Sequence, residues 1–308
     1  MQESVSDPLR QAFVDAQQVF LSRYGVNAAS RFVDVPSIGG RAHALVTGEG
    51  PPVVMLSGLG NPGAMWAPLM AELNGFRLVA IDLPGFGLTD AKPEMARDPR
   101  KSAVRFFEDA LGALGLDSPP IIANSLGSLW SMWLALDRPG RVAKLVHVGA
   151  PGSIPGLTPP LPFRLLSVRP LGRLQTRLQP PSPAGIAQLS KAVNEYPLVP
   201  ELVDLLVATG RLPGGRLTML DALHFLLRLR GARPEAMLTD ADLARMAQPT
   251  LLVWGEQDPF AAVEAGEHMA ATMPDAQLHV VPTGHAPWLT YSEHVGPVVG
   301  AFLRGESS

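Results

Sequence analysis

The sequence of 308 residues contains no cysteine. Disulfide bonds, thiolate metal sites and cysteine nucleophiles are therefore excluded, and the composition fits a reducing compartment. Long apolar runs are also lacking, since none approaches the roughly 18 residues that a membrane-spanning helix requires. The N-terminal MQESVSDPLRQAF has acidic and polar residues where a signal peptide has a basic start and an apolar stretch. We therefore expect a soluble cytoplasmic protein with no membrane partner.

An excess of charge of one sign is missing as well. The 25 basic and 28 acidic residues give a net charge of -3, and neither sign forms a long run. Electrostatics therefore gives no argument for a nucleic-acid partner. The sequence also lacks a metal-ligand cluster, a Walker loop and a dinucleotide fingerprint. We predict no cofactor and no metal, and we expect a small-molecule substrate as the only partner; the oligomeric state stays open.

What the sequence does contain is a globular composition, with 46% apolar and 17% charged residues. An amphipathic helix is predicted at residues 7–24. Helical segments and continuous apolar runs then alternate up to residue 150, and the runs include PPVVMLSG, FRLVAID, PIIAN and VAKLVHVGA. Strands of this kind are typical of a parallel sheet that is covered by helices on both faces.

The alternation stops after residue 150. Residues 151–200 hold eleven of the 31 prolines, and helical stretches follow without a convincing strand until PTLLVWG at 249–255. We therefore predict two domains. Residues 1–150 and 239–308 form an α/β core that includes the first helix, and residues 151–238 form a helical cap inserted into it.

Ser125, in the stretch IIANSLGSLW, is the candidate nucleophile. It lies between a buried strand and a helix, where a sharp turn can expose its hydroxyl above the sheet. The small residues Ala123 and Gly127 on either side allow the close backbone approach that such a turn needs. A serine that merely caps the next helix is the alternative interpretation.

A serine nucleophile needs a base and a carboxylate that orients the base. Among seven histidines, His285 is the best placed, because it lies on a loop just beyond the last strand. His147 and His279 lie inside predicted strands, and His224 fits a hydrogen-bonded position in the cap. The surroundings of the other three are polar and predict solvated surface positions; they are His43, His268 and His294.

Asp258 is the candidate acid, because it follows the strand in LLVWGEQDPF and precedes His285 by 27 residues. Glu256 and Asp275 are its competitors. The backbone N–H of Leu126, at the start of the next helix, and that of Leu59, in the glycine-rich loop after VVML, are the candidate donors to a reaction oxyanion.

Four parts of the sequence together resemble the α/β-hydrolases that carry a helical cap: LSGLGNPGAMW, IDLPGFGLTD, ANSLG, and the pair WGEQDPF with GHAPWL. The resemblance covers residues 31–150 and 240–304. It implies a mostly parallel eight-stranded sheet with helices on both faces and a helical cap inserted after the sixth strand. The order Ser125, Asp258, His285 is that of the α/β-hydrolase fold. Asp82, at a common position of the family, is expected to order its loop.

Two departures from the family pattern are present. Ser57-Gly58 stands where the oxyanion loop often begins with His-Gly, and Ala123 stands where the elbow often has glycine. Because the oxyanion donors are backbone groups and alanine is small, the expected chemistry survives both changes.

We expect a serine hydrolase that cleaves an ester, lactone or similar acyl bond of a small, largely apolar substrate through an acyl-enzyme. Asn124 and GNPGAMW are similar to the meta-cleavage-product hydrolases, which cleave carbon–carbon bonds in vinylogous diketones. Those enzymes carry tryptophan directly after the catalytic histidine, whereas Ala286 stands here and Trp288 comes later. Carbon–carbon hydrolysis is therefore the second hypothesis, and a lyase, cyclase or ligand-binding protein on the same fold is the third.

Overall fold

The computed structural model describes residues 7–306, which contain one large sheet. Residues 1–6 and 307–308 of the predicted core domain lie outside this range. The strands, in chain order, are β1 (Ala29–Val35), β2 (Gly40–Thr47), β3 (Pro52–Leu56), β4 (Arg77–Ile81), β5 (Ile121–Ala123), β6 (Leu145–Val148), β7 (Leu227–Arg228), β8 (Gly231–Ala232), β9 (Thr250–Gly255) and β10 (Ala276–Val281).

The large sheet has eight strands in the order β1-β2-β4-β3-β5-β6-β9-β10. β2 pairs antiparallel with β1 and with β4, and every other pairing in this sheet is parallel. β7 and β8 form a separate two-residue hairpin. The predicted eight-stranded, mostly parallel sheet is thus confirmed. Because parallel strands share one direction, the loops that follow β3, β5, β9 and β10 all emerge at the same edge.

The described residues also form thirteen α-helices and five short 3-10 helices. The α-helices are α1 (Pro8–Arg23), α2 (Ala67–Glu72), α3 (Pro99–Ala113), α4 (Ser125–Asp137), α5 (Leu161–Leu166), α6 (Arg169–Leu178), α7 (Pro183–Ala192), α8 (Pro200–Arg211), α9 (Gly215–Leu226), α10 (Asp240–Leu243), α11 (Val263–Thr272), α12 (Pro287–Thr290) and α13 (Ser292–Arg304). The 3-10 helices span Pro36–Ile38, Gly63–Trp66, Pro93–Arg97, Pro139–Arg141 and Pro234–Ala236. None of the helices within residues 7–306 is long and apolar enough to cross a bilayer.

Both faces of the sheet are buried, because successive side chains of a strand point to opposite sides. In β3, Val54 and Leu56 join a cluster with apolar residues of α3, α4 and α11. Val53 and Met55 join a second cluster with residues of α1, α2 and α13. The continuous apolar runs of the sequence are therefore explained by helices on both faces, as predicted.

The segment between β6 and β9 holds α5–α9 and the small hairpin, and none of its described residues joins the large sheet. The last of these helices ends at Leu226, whereas the predicted helical stretch RLTMLDALHFLLRLR continues to residue 230. Arg233 explains the difference. Its backbone N–H donates to the carbonyl of Leu226, and its Nε donates to His224 and Leu227 carbonyls at 2.7 and 3.1 Å. These contacts satisfy the last carbonyls and turn the chain into the hairpin.

Candidate active site

Ser125 occupies a sharp turn between β5 and α4. Its φ angle is 51°, a left-handed conformation that a non-glycine residue adopts only when its surroundings enforce it. The turn also needs a small residue two positions later, because a Cβ added to Gly127 would lie 2.5 Å from the carbonyl oxygen of Leu56. The sequence prediction of a strand–turn–helix around Ser125 agrees with this geometry.

His285 and Asp258 come together at the same sheet edge. Asp258 lies on the loop after β9 and His285 on the loop after β10, and His285 Nδ1 is 2.8 Å from Asp258 Oδ2. Both residues are buried. With the Nδ1 proton directed at the carboxylate, the Nε2 atom is left as a proton acceptor. The competing carboxylates, Glu256 and Asp275, are both exposed.

The carboxylate of Asp258 is held by backbone donors on both oxygens. Oδ2 accepts from the N–H of Ala150 at 2.9 Å, and Oδ1 accepts from the N–H of Phe260 at 2.9 Å. The Phe260 ring also lies over the imidazole of His285, with 4.3 Å between ring centroids. These contacts fix the orientation of the acid and, through it, of the imidazole.

Asn124 joins the Ser125 turn to the loop that carries His285. Its Nδ2 donates to the carbonyl of Val148 at 2.7 Å and to that of His285 at 3.1 Å. The His285 loop also lies close to Gly149. A Cβ added there would be 2.1 Å from the His285 carbonyl oxygen, so this position needs glycine. In the sequence, Asn124 was only a mark of resemblance, because its two acceptors are remote along the chain.

The loop after β3 lies beside Ser125. A Cβ added to Gly58 would be 3.2 Å from the Cβ of Ser125, so the backbone at Gly58 passes close to this side chain. Ser57 Oγ donates to the carbonyl of Pro62 at 3.1 Å and closes this loop. Leu126 lies in the first turn of α4, where backbone N–H groups have no partner within the helix. Donation from Leu59 and Leu126 to an oxyanion stays a prediction.

A cavity of about 900 Å³ is lined by residues 84–102 of the core together with residues of α4 and α9. Leu126, the residue after Ser125, lines it with Trp130 and Trp133 of α4, whereas Ser125, Asp258 and His285 are not among the lining residues that the structure describes. The opposite wall comes from α9 and the loop before it, and the polar lining includes Arg10 and Lys92. The cavity is thus large enough for a small organic molecule, with aromatic walls and charged groups at part of its rim.

His43 corrects one expectation from the sequence. The polar surroundings predicted a solvated surface position, but the side chain is completely buried. Its Nδ1 is 2.8 Å from Asp82 Oδ2, and its Nε2 is 3.0 Å from Ser30 Oγ. Asp82 also accepts from the N–H groups of Gly63 and Leu88 at 2.6 and 2.9 Å. Asp82 therefore orders its loop, as expected, and His43 is the part of this network that the sequence did not reveal.

The remaining histidines are not brought to Ser125. His147 is buried in β6 and neither ring nitrogen has a partner among the described residues, and this burial lowers its pKa to about 3. His224 Nδ1 lies 3.1 Å from the carbonyl oxygen of Ser167, which agrees with the predicted hydrogen-bonded position. His279 is half-buried, and two others are exposed beside carboxylates: His268 and His294.

Glu195 is the functional candidate that sequence reasoning missed. It lies between α7 and α8, is 3% exposed, and its Oε1 accepts from the backbone N–H of Ala286 at 2.6 Å. Burial raises the pKa of its carboxyl to about 7. Nothing local in the sequence marks this residue, because its significance comes only from the way the inserted segment packs on the His285 loop.

Comparisons with known proteins decide the family. The model of the alpha/beta hydrolase fold family matches residues 51–290. The chain belongs to this family. It is an α/β-fold hydrolase.

Among curated proteins, the chain is similar to two dienoate hydrolases. It is 29% identical over 275 residues to the 2-hydroxy-6-oxo-6-phenylhexa-2,4-dienoate hydrolase of Burkholderia cepacia, covering 85% of this chain and 92% of that one. It is 32% identical over 263 residues to the 2-hydroxy-6-oxononadienedioate/2-hydroxy-6-oxononatrienedioate hydrolase 2 of Pseudomonas putida, covering 82% and 87%.

Among solved structures, carboxylesterase CesB of Bacillus subtilis superposes with a TM-score of 0.78 at 22% identity, covering 97% of this chain and all of that one. The 2-hydroxy-6-oxo-6-phenylhexa-2,4-dienoate hydrolase of Rhodococcus sp. strain RHA1 superposes with a TM-score of 0.75 at 22% identity, covering 91% and 99%. At this identity the structures support the fold and leave the substrate open.

The sequence-based preference for ester or lactone hydrolysis is wrong, because the curated relatives are carbon–carbon bond hydrolases of the meta-cleavage-product type. The preference rested on Ala286 standing where those enzymes have tryptophan. Trp288, further along the chain, is fully buried and stacks on Trp66 with 4.2 Å between ring centroids. A Ser-His-Asp arrangement can attack an ester or a ketone carbonyl, so its spacing alone could not separate the two reactions.

Proposed function

We propose that the protein hydrolyses a carbon–carbon bond in a 2-hydroxy-6-oxo-dienoate, beside the C6 ketone. The observation that carries this proposal is the match to dienoate hydrolases over more than four fifths of the chain. The paired His285 and Asp258, and a serine in a left-handed turn at the same sheet edge, are the groups that such a reaction needs.

In this proposal, Ser125 is the nucleophile, His285 the general base and Asp258 the residue that orients the imidazole. The Asp258–His285 hydrogen bond of 2.8 Å presents Nε2 as the proton acceptor. Before the bond breaks, the proton of the 2-hydroxyl group must move to C5, because C5 of the dienol form is a vinylic carbon and cannot leave as a stabilised anion. From the resulting 2,6-dioxo tautomer, C5 leaves as an extended enolate conjugated with C2, and the enolate oxygen then takes up a proton. Water completes the reaction by releasing the second product as a carboxylic acid.

Attack on the ketone develops negative charge on its oxygen, and the backbone N–H groups of Leu59 and Leu126 are the proposed donors to it. The contact between Gly58 and Ser125 supports a donor on the first loop. The first-turn position of Leu126 supports the second, because the helix dipole favours negative charge there.

We also propose that residues 151–238 act as a cap over a core formed by residues 1–150 and 239–308. The cavity supports this division, because its walls come from α4 of the core and α9 of the inserted segment. A cavity that is closed by a cap excludes water and strengthens the electrostatic interactions inside it. The cytoplasmic location stays a prediction from the sequence.

The test is to incubate the protein with 2-hydroxy-6-oxo-6-phenylhexa-2,4-dienoate and to follow loss of the coloured dienolate. Cleavage beside C6 with addition of water predicts benzoate and 2-hydroxypenta-2,4-dienoate, which mass spectrometry identifies. The Ser125→Ala variant is expected to lose at least about 10⁴-fold in kcat. Ser128→Ala, three residues further along α4, is the matched control and is expected to keep the activity.

Two results would contradict the proposal. One is that the wild-type protein leaves this dienoate and its 6-alkyl analogues unchanged at enzyme concentrations equal to the substrate. The other is that Ser125→Ala cleaves them at the wild-type rate, since the serine would then have no part in the chemistry.

A further inference from the structure

The loop that carries His285 rests on the segment between α7 and α8. The N–H of His285 donates to the carbonyl of Val193 at 3.1 Å. A Cβ added to Gly284 would lie 2.4 Å from the carbonyl oxygen of Asn194, so the two backbones are in direct contact. Asn194 has a φ of 56°, and its Nδ2 donates to the carbonyl of Gln257 at 2.7 Å, which ties the segment to the Asp258 loop as well.

Glu195 adds an ionisable side chain to this contact from the inserted segment. Its Oε1 accepts from the N–H of Ala286 at 2.6 Å, and the residue is 3% exposed. Two titratable groups act on it from the core: the charge of His285 lowers its pKa, and that of Asp258 raises it. Lys191, on its own segment, is directed elsewhere, with Nζ 4.5 Å from the ring centroid of Tyr196.

A buried carboxyl is normally costly, and this one has a single backbone donor that satisfies it only in part. An apolar residue at this position would fill the same space without that penalty, but it would leave the N–H of Ala286 without an acceptor. The Glu195 carboxylate therefore accepts from the backbone N–H on the C-terminal side of His285. The carbonyl of Val193 accepts from the N–H of His285, and Asn124 donates to the His285 carbonyl.

We propose that Glu195 is a positioning residue of the active site. Its carboxylate, supplied by the inserted segment, fixes the backbone after His285 and places a third carboxylate beside the His285–Asp258 pair. This inference rests on the proposed role of His285 as the general base.

The third carboxylate has an electrostatic effect with a definite sign. Burial raises the pKa of Glu195 to about 7, so the group gains its negative charge as the pH rises through neutrality. A negative charge near His285 favours the protonated imidazole and thus opposes its action as a base. The charge of His285 in turn lowers the pKa of Glu195, so we expect the acidic limb of the activity profile to depend on both residues.

The Glu195→Gln variant separates charge from hydrogen bonding, because the amide oxygen still accepts from Ala286. We expect kcat at the pH optimum to stay within about threefold of wild type. The acidic limb of the kcat/KM–pH profile should move to lower pH by roughly 0.5 and should fit a single ionisation. A purely structural role for Glu195 would leave this limb in place.

The Glu195→Leu variant removes the acceptor as well. We expect kcat to fall about 10- to 100-fold with KM changed less than about threefold, because the base is displaced while the cavity is intact. Glu201→Gln is the matched control, since Glu201 is a half-buried carboxylate six residues along the chain that pairs with Arg23 at 2.9 Å. It should reproduce the wild-type profile. If the leucine variant fails to fold, the glutamine variant still decides the question.

The rate at which a fluorophosphonate labels Ser125, followed by intact-protein mass across the same pH range, gives a second readout that needs no substrate. If wild-type protein is labelled but does not cleave dienoates, the substrate is wrong, and a shifted labelling profile in Glu195→Gln still supports the inference. A different outcome overturns the inference alone. In it, the wild-type protein cleaves dienoates and is labelled, and Glu195→Gln has the same acidic limb as wild type for cleavage and for labelling. If wild type is neither labelled nor active, the proposed function fails and the inference with it.

Discussion

Two buried histidine–aspartate pairs have the same geometry in this protein and different surroundings. In each pair an imidazole Nδ1 lies 2.8 Å from a carboxylate oxygen, for His43 with Asp82 and for His285 with Asp258. His43 is completely buried, and its Nε2 contacts Ser30 Oγ at 3.0 Å. His285 has no hydrogen bond to Nε2 within residues 7–306, and it lies at the sheet edge that carries Ser125.

A histidine–aspartate pair by itself therefore does not make a base. A histidine whose two nitrogens are both engaged by the protein is a structural crosslink, because it has no site left for a substrate proton. For a histidine to act as a base, its second nitrogen must face a nucleophile, and backbone donors must fix the orientation of the carboxylate. Four substitutions should affect the two pairs and the other buried histidine differently.

Asp258→Asn should give the largest effect. An asparagine amide cannot hold the imidazole in the tautomer that leaves Nε2 free, and kcat for dienoate cleavage is expected to fall by about 10⁴-fold. The melting temperature should change by only a few degrees. A variant that loses less than tenfold in kcat would show that another group orients His285.

Asp82→Ala should show the opposite pattern. The change leaves the buried N–H groups of Gly63 and Leu88 and the ring of His43 without their acceptor. We expect a loss of about 3 to 5 kcal/mol in the free energy of unfolding, measured with urea, and a kcat within about tenfold of wild type for the folded fraction. Equal losses in kcat for Asp82→Ala and Asp258→Asn would remove the distinction between the pairs.

His147 extends the comparison to a histidine with no acid. Its pKa is lowered to about 3 by burial, so the folded protein keeps it neutral while the unfolded chain protonates below about pH 6.5. The unfolded state therefore binds more protons, and stability falls as the pH drops below 6.5. Between pH 7 and pH 5 this residue should account for about 2 kcal/mol of the loss. His147→Leu should flatten the pH dependence of urea unfolding by that amount, and an unchanged slope would contradict the assignment.

Ser30→Ala should give the smallest effect. Ser30 is exposed, and water can take the place of its hydroxyl on His43 Nε2. We expect a loss of at most about 1 kcal/mol in the free energy of unfolding and an unchanged kcat. A large loss of activity would instead give this second Ser-His-Asp arrangement a chemical role.

Much of the fold was predictable from the sequence. Apolar runs with helices between them gave the parallel sheet, because parallel strands are buried on both faces. Ser125, Asp258 and His285 could be chosen from their positions after strands, since the carboxyl ends of parallel strands meet at one edge. Their catalytic roles stay a proposal, but the structure pairs Asp258 with His285 and leaves Glu256 exposed.

The parts that were missed depend on contacts between distant segments. The burial of His43 follows from its pairing with Asp82 and Ser30 on other strands and loops, which local polarity does not report. Glu195 contacts Ala286 only because of the way the inserted segment packs on the core. The choice between an ester and a carbon–carbon bond was also wrong, because the attacking groups are common to both reactions.

The φ angle of 51° at Ser125 places the candidate nucleophile in a backbone conformation that lowers the stability of the fold. A glycine there would relax the backbone and remove the hydroxyl at once, so Ser125→Gly should give a protein that is inactive and more resistant to urea than Ser125→Ala. A serine in that conformation carries a backbone cost that the rest of the fold must offset.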